Sequence, residues 1–129
     1  MKQYPKYKES GIQWIGQVPE HWEVIKSRYF SSLEHGQSYK PEDVVTENGI
    51  LVLRASNIQD GKLSLEDCVS IKPSQIVANK LVSEDDIIIC STNGSLALVG
   101  KSMIIDKPIE ASFGSFMMRM RTMQNTRFV

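Results

Sequence analysis

The sequence has few of the residues that build cross-links, metal centres and catalytic triads. Its 129 residues include only two cysteines and two histidines. Cys68 and Cys90 lie in apolar, strand-like surroundings, which favours reduced, buried thiols over a disulfide framework. No C-x-x-C pair is present, and neither His21 nor His35 adjoins a recognisable nucleophile. We therefore expect no catalytic residue, no metal and no cofactor.

Net charge and long apolar runs are also absent. Fifteen basic residues balance fifteen acidic ones, whereas nucleic-acid-binding domains usually carry a basic excess. The distribution is uneven, because residues 41–90 carry nine acidic and four basic side chains while residues 91–129 carry two and five. A one-sided field and an ordinary mixed surface both fit this pattern. Without a run of about 18 apolar residues or a signal sequence, we expect a cytoplasmic protein with no membrane span.

Short apolar runs separated by turn signals predict one domain, residues 1–129, of the α+β class: a mostly antiparallel twisted sheet with few short helices. Ile50–Leu53 and Ile87–Cys90 are typical of buried strands. Asp60-Gly61 between apolar residues predicts a two-residue hairpin turn. The alternation over residues 116–121 predicts a half-buried strand with Arg119 and Arg121 on its outer face.

Prolines and glycines mark the remaining segments. Residues 1–20 contain two prolines and are expected to form an extended arm. Pro73 is expected to open a short helix that places Val77 and Leu81 on one face. Residues 36–48 are polar and are expected to form a loop.

Residues 94–102 resemble a phosphate-binding P-loop, but five residues separate Gly94 from Gly100 where that loop needs four. The spacing matters because the backbone N–H groups must wrap a phosphate at a helix N-terminus. The interior is apolar, so we interpret the segment as strand, bend and strand. A nucleotide-binding enzyme remains an alternative function, and an unchanged nucleotide affinity in Lys101→Ala would exclude it.

Polar residues cluster where apolar strands end, in residues 54–57, 91–95 and 112–115. Arg and Asn can make bidentate contacts to guanine and adenine edges, and Ser and Thr can contact bases or phosphates. Lys101, Arg119 and Arg121 could neutralise backbone phosphates. Ser, Asn and Gly are also the ordinary residues of turns, so these patterns alone leave a structural and a DNA-binding role open.

The opening residues 4–24, YPKYKESGIQWIGQVPEHWEV, resemble the start of Type I restriction specificity subunits. Those proteins commonly begin with Tyr-Lys-x-Ser-Gly-x-x-Trp-Leu-Gly-x-Ile-Pro-x-His-Trp. Residues 53–58, 82–94 and 113–119 are similar to later segments of the same family. The resemblance therefore covers nearly the whole chain.

The resemblance implies a non-catalytic function. Such subunits carry two target-recognition domains, each reading half of a bipartite DNA site, joined by long helices that dock the methyltransferase subunits. The chain would correspond to the amino-terminal domain, with residues 124–129 leading into the first spacer helix and the rest missing. Its partners would be double-stranded DNA and the methyltransferase and restriction subunits, which supply the S-adenosylmethionine and ATP-driven chemistry.

Loop position and side-chain chemistry then select ten residues that we expect to face DNA. They are Gln37, Tyr39, Lys40, Arg54, Asn57, Ser91, Thr92, Asn93, Ser95 and Lys101. The alternative is a truncated remnant or exchange cassette that folds and forms a homo-oligomer without binding DNA productively.

Overall fold

The computed structural model describes residues 3–123, which form twelve short strands and five single-turn 3-10 helices. The strands are β1 Tyr7–Glu9, β2 Gln17–Pro19, β3 Ser31–His35, β4 Val44–Val45, β5 Ile50–Leu53, β6 Ile58–Gln59, β7 Lys62–Leu63, β8 Val69–Ile71, β9 Ile87–Cys90, β10 Ser102–Ile104, β11 Ala111–Phe113 and β12 Met117–Thr122. The 3-10 turns are Ser27–Tyr29, Pro41–Asp43, Ala55–Asn57, Pro73–Gln75 and Ala78–Lys80. The predicted strands β5 and β9 are confirmed, but the α component of the predicted fold is reduced to these turns.

Two four-stranded sheets form the body of the described chain. One has the order β10-β9-β12-β3 and is antiparallel, and the other has the order β11-β5-β8-β4 with a single parallel pair, β11 and β5. Two-stranded ladders β1-β2 and β6-β7 complete the fold. The buried core draws on both sheets and consists of Leu53, Ile58, Val82, Ile88, Cys90, Met103, Ile105, Ala111, Phe113 and Met117.

The hairpin predicted at Asp60-Gly61 is confirmed. Ile58 pairs with Leu63, and both turn residues have positive φ, 52° for Asp60 and 73° for Gly61. A two-residue turn with positive φ at both positions matches the twist of the flanking strands. Ile58 is consequently held in the core.

Strand β12 is confirmed, but its predicted facing is wrong. Met117 and Arg119 point inward and are 1% and 7% exposed, whereas Met118 and Met120 are only half-buried. Arg119 is accommodated inside because its Nη1 donates to two backbone carbonyls, those of Asn79 (3.0 Å) and Leu81 (2.6 Å). The period of two located the strand but did not identify its buried face.

The helix predicted after Pro73 is also wrong. Two separate 3-10 turns are present, and Ile76 and Val77 between them are extended. Gln37 replaces the helical hydrogen bonds, because its Oε1 accepts from the Val77 N–H (3.1 Å) and its Nε2 donates to the Gln75 carbonyl (3.0 Å). Val77 is left 46% exposed rather than on a buried face.

The expectations for the two cysteines and for the N-terminal residues have mixed outcomes. Cys90 is buried as predicted, but Cys68 is exposed. The segment expected to be an extended arm folds back as the β1-β2 hairpin, where the Tyr4 ring contacts the rings of Tyr7, His21 and Trp22.

The polar loop of residues 36–48 contains a 3-10 turn and the short strand β4. The P-loop-like segment has turns up to Gly100 rather than a strand, and only then β10. The expected lead into a spacer helix, residues 124–129, lies outside the described residues. No helix within residues 3–123 is long and apolar enough to cross a membrane.

Candidate functional site

Four chain segments meet around a concave site of about 550 Å³, here called the four-loop groove. The segments are the residues after β3, the turn after β5, the residues after β9, and the turn between β11 and β12. The lining residues are Gln37, Ser38, Tyr39, Arg54, Ala55, Ser56, Thr92, Asn93, Gly114, Ser115, Phe116 and Met117. The sequence predicted polar loops in all four regions, and the fold brings them together.

Backbone hydrogen bonds fix the floor of the groove. The Gly36 N–H donates to the Met117 carbonyl (3.1 Å), the Gln37 N–H to the Phe113 carbonyl (2.9 Å) and the Gly114 N–H to the Leu53 carbonyl (2.9 Å). The approach of the backbones requires glycine, since a Cβ on Gly36 would lie 1.9 Å from the Gly114 carbonyl oxygen.

The residues after β9 are attached to the rest of the groove through a single carbonyl oxygen. The Phe116 carbonyl accepts hydrogen bonds from the backbone N–H groups of Ser91 (3.0 Å) and Thr92 (3.1 Å). It also accepts one from the Ser91 hydroxyl (3.1 Å). Ser91 is therefore outside the lining and holds this segment in place, while Thr92 and Asn93 line the groove.

Arg54 is the cation in the groove wall. Its Nη2 lies 3.1 Å from the Asp67 carbonyl oxygen and 3.2 Å from the Asp67 Oδ1. Its Nε is buried and has no hydrogen-bond partner among residues 3–123, while 33% of the side chain is exposed. A guanidinium whose donors are only partly used inside the fold can donate to an acceptor that enters the groove.

Asn57, predicted to face DNA, is instead fully buried. Its Nδ2 donates to the carbonyls of Ser64 (2.9 Å) and Asp67 (3.0 Å), and its Oδ1 accepts from the Arg54 N–H (2.9 Å). Both amide hydrogens and the amide oxygen are used inside the fold. Asn57 thus supports the turn that carries Arg54.

Gln37 lies in the lining, but its side chain is turned inward and is 4% exposed. Besides the contacts to Gln75 and Val77 described above, its Oε1 accepts from the Ser112 hydroxyl (3.0 Å). The sequence placed Gln37 in the DNA-facing group because a polar residue in a polar loop is usually exposed. The structure assigns the side chain to the interior instead.

The remaining predicted residues divide between the lining and its surroundings. Tyr39, Thr92 and Asn93 line the groove, and the Asn93 Oδ1 accepts from the Ser95 N–H (2.9 Å). Lys40 and Ser95 are exposed outside the lining. Lys101 is half-buried and its Nζ lies 3.5 Å from the carbonyl oxygen of Ala55, a lining residue.

Sequence reasoning did not select Phe116 or Asp67 as site residues. Phe116 was assigned to a half-buried strand, but it lies in the turn before β12 and is 66% exposed. The Gly114-Ser115 pair immediately before it was the available turn signal. Asp67 has no sequence signal of its own, because its contact with Arg54 spans 13 residues.

Two arginines considered for phosphate contact are used elsewhere. Arg121 donates from Nε to the Asp86 Oδ1 and from Nη2 to the Asp86 Oδ2, both at 2.8 Å, and these hydrogen bonds raise the pKa of Arg121. Burial lowers the pKa of Arg119. Neither side chain lines the four-loop groove.

The groove offers hydrogen-bonding amide, hydroxyl and guanidinium groups beside two aromatic rings, Tyr39 and Phe116. Such a set suits recognition of a polar, planar ligand. Within residues 3–123 no three His, Cys, Asp or Glu side chains are grouped closely enough to hold a metal ion.

Sequence comparison identifies relatives of one kind, although no protein-family model matches the chain. The specificity subunit of the Type I restriction enzyme EcoKI from Escherichia coli K12 is 33% identical over 104 residues, 78% of this chain. The StySPI specificity subunit of Salmonella potsdam gives the same identity and coverage, and the MjaVIII specificity subunit of Methanocaldococcus jannaschii is 30% identical over 100 residues.

These alignments cover 22% to 23% of the length of the three relatives. They nevertheless include most of the present chain, and all three relatives share one description. Over this fraction of their length, the specificity subunits of Type I restriction enzymes are the proteins to which the chain is similar.

Proposed function

We propose that the chain is a non-catalytic target-recognition module that reads one half of a bipartite DNA site through the four-loop groove. The observation that carries the proposal is the convergence of four polar loops, distant in sequence, on one concave surface. Base readout needs several hydrogen-bonding side chains held in fixed relation to one another. The hydrogen-bonded floor of the groove supplies that fixed relation.

The groove chemistry suggests a division of contacts. Arg54 can donate to an acceptor on a guanine edge, and Asn93 and Thr92 are suited to adenine and to a base or phosphate. Lys40 and Lys101, beside the lining, are placed to neutralise phosphates. Because the groove has few cations and the chain has no net charge, we expect a shallow salt dependence, with a slope of roughly −2 to −3 in log affinity against log salt.

The function belongs to a larger assembly. The relatives are specificity subunits of Type I restriction enzymes, and the proposal extends to this chain their cooperation with methyltransferase and restriction subunits. Those subunits would carry the methyl-transfer and cleavage chemistry. The present chain would contribute the choice of DNA sequence.

Selection from a pool of random duplexes, followed by binding measurements over a salt series, tests the proposal. We expect enrichment of one short contiguous sequence and an affinity that falls as salt rises. Arg54→Ala should weaken binding about tenfold to hundredfold and relax preference at one base pair, because a hydrogen bond from a charged group contributes about 1.5 to 3 kcal/mol.

Arg28→Ala is the matched control, since it removes the same charge from an exposed turn outside the lining. It should change affinity little. Absence of binding at low salt, or equal losses in the two variants, would refute groove-mediated recognition.

A second candidate function, self-association without productive DNA binding, is favoured by one observation. The outer face of the first sheet carries an apolar row in register across all four strands: Leu33, Met120, Ile87 and Ile104. Leu33 is 52% and Ile104 48% exposed. Sedimentation of the chain and of Leu33→Glu tests this candidate: a dimer that the substitution dissociates supports it, and a monomer excludes it.

A further inference from the structure

Phe116 is an exposed aromatic residue on an unusually well-fixed turn. Its side chain is 66% exposed, although its carbonyl accepts three hydrogen bonds from residues 91 and 92. The Met117 N–H closes the turn onto the Gly114 carbonyl (2.9 Å), and Gly114 is tied to Leu53 (2.9 Å). The backbone is immobilised from both sides while the ring projects into the groove lining.

Folding stability does not explain the ring. Phe116 lies outside the core, although it directly precedes the buried Met117 at which β12 begins. An apolar ring gains free energy by leaving water, and this one stays mostly in water in the free chain. A fixed, exposed ring in a polar groove is suited to contact with an apolar part of a ligand.

The neighbours of Phe116 indicate which part of DNA that is. Arg54, Thr92 and Asn93 line the same groove, and their side chains match donor and acceptor patterns displayed in the major groove. The apolar feature of that groove is the thymine C5 methyl group, which phenylalanine is known to contact in protein–DNA complexes generally. A ring beside these polar groups would meet the same surface of the duplex.

We propose that Phe116 is a specificity-determining residue that selects thymine by packing its ring against the C5 methyl group. This inference rests on the proposed function of the groove. It adds an apolar contact to a site otherwise described by hydrogen bonds. It also explains why the turn of residues 114–117 is hydrogen-bonded to three other segments, since a mobile turn would not hold the ring at a fixed distance from the methyl group.

The test compares two versions of one duplex pool, amplified with either thymidine or deoxyuridine triphosphate, which differ only in the C5 methyl groups. The unaltered chain should bind the duplex selected from the thymine pool about fourfold more tightly than its uracil counterpart, for one methyl contact. Phe116→Ala should bind both versions equally, at the weaker level. Phe116→Leu, which keeps an apolar side chain, should retain part of the preference.

Trp14→Ala is the control, because Trp14 is 86% exposed but lies outside the groove lining. It should keep the full thymine preference. If Phe116→Ala keeps that preference, or if the unaltered chain does not distinguish the pools, the methyl contact is refuted. Failure of the chain to bind any duplex would refute the proposed function as well, whereas salt-dependent binding that is indifferent to Phe116 would refute this inference alone.

Discussion

The four-loop groove and the inner face of β12 use the same residue type for opposite purposes. At the groove, Arg54 contacts Asp67 and a third of its side chain is exposed. On β12, Arg119 is 7% exposed against backbone carbonyls, and Arg121 is paired with the buried Asp86. Under the proposed function, arginine would contribute to recognition in the groove, whereas on β12 it contributes to internal structure.

The difference follows from what surrounds each guanidinium. The inner face of β12 supplies the carbonyls of Asn79 and Leu81 and the Asp86 carboxylate as acceptors. The groove supplies Asp67 alone, on one side of Arg54. Arg54 and Arg119 each have a buried Nε without a hydrogen-bond partner among residues 3–123. The two arginines therefore differ in the exposure of the side chain and in the number of acceptors around it, and the more exposed Arg54 is the one that a ligand can reach.

The largest expected effect concerns the floor of the groove. Gly36→Ala places a Cβ 1.9 Å from the Gly114 carbonyl oxygen, so the backbone must move. We expect a loss of about 3 kcal/mol in the free energy of unfolding, measured by urea denaturation. Gly94→Ala, where an added Cβ meets no atom within 4 Å, should be nearly neutral. Equal unfolding free energies for the two variants would show that the Gly36 and Gly114 backbones are not closely packed.

The next effect separates the two regions. Asp86→Ala removes the carboxylate that accepts from Arg121 and from the Ser83 N–H (2.6 Å). We expect a loss of about 2 kcal/mol in unfolding free energy, because buried hydrogen bonds to a charged group are lost. DNA affinity of the folded variant should be unchanged, and exposed Glu84→Ala is the control. A large loss of affinity with intact stability would contradict the separation.

The smallest effect is a pH dependence beside the inner face. The Lys80 ammonium donates to Glu34, and this hydrogen bond lowers the pKa of Glu34 from its ordinary 4.5. A lowered pKa stabilises the fold above that ordinary value, and the contribution is lost as pH falls through the folded-state pKa. Stability should therefore fall slightly more below pH 4.5 in the unaltered chain than in Glu34→Gln, as measured by thermal unfolding in a pH series. Parallel pH profiles would show that the pair contributes nothing.

The sequence predicted those strands and turns that depend on residues adjacent in the chain. Continuous apolar runs identified β5 and β9, and Asp60-Gly61 identified its hairpin. Which face of β12 is buried was not predictable from the sequence. Methionine suits a buried position by itself, and Arg119 suits one only because the carbonyls of residues 79 and 81 accept its hydrogen bonds. Those acceptors lie about 40 residues away in the chain, beyond any local pattern.

The candidate site was predictable as a set of loops but not as a set of side chains. The polar segments after β3, β5 and β9 do converge. Asn57 and Gln37 could not be identified as internal supports, since their partners are fixed only by the tertiary fold. Phe116 was missed for the opposite reason, because an aromatic residue at the start of an apolar strand is usually buried.

The parallel pairing of β11 with β5 has a consequence for the order of events during folding. It joins residues 111–113 to residues 51–53, and the groove floor additionally ties residues 36, 53, 91 and 116 together. Closing such distant contacts is slow, because the chain entropy is lost before the contacts form. The proposed binding surface is therefore built from contacts between segments distant in sequence, and a partly folded chain that lacks those contacts would also lack the groove.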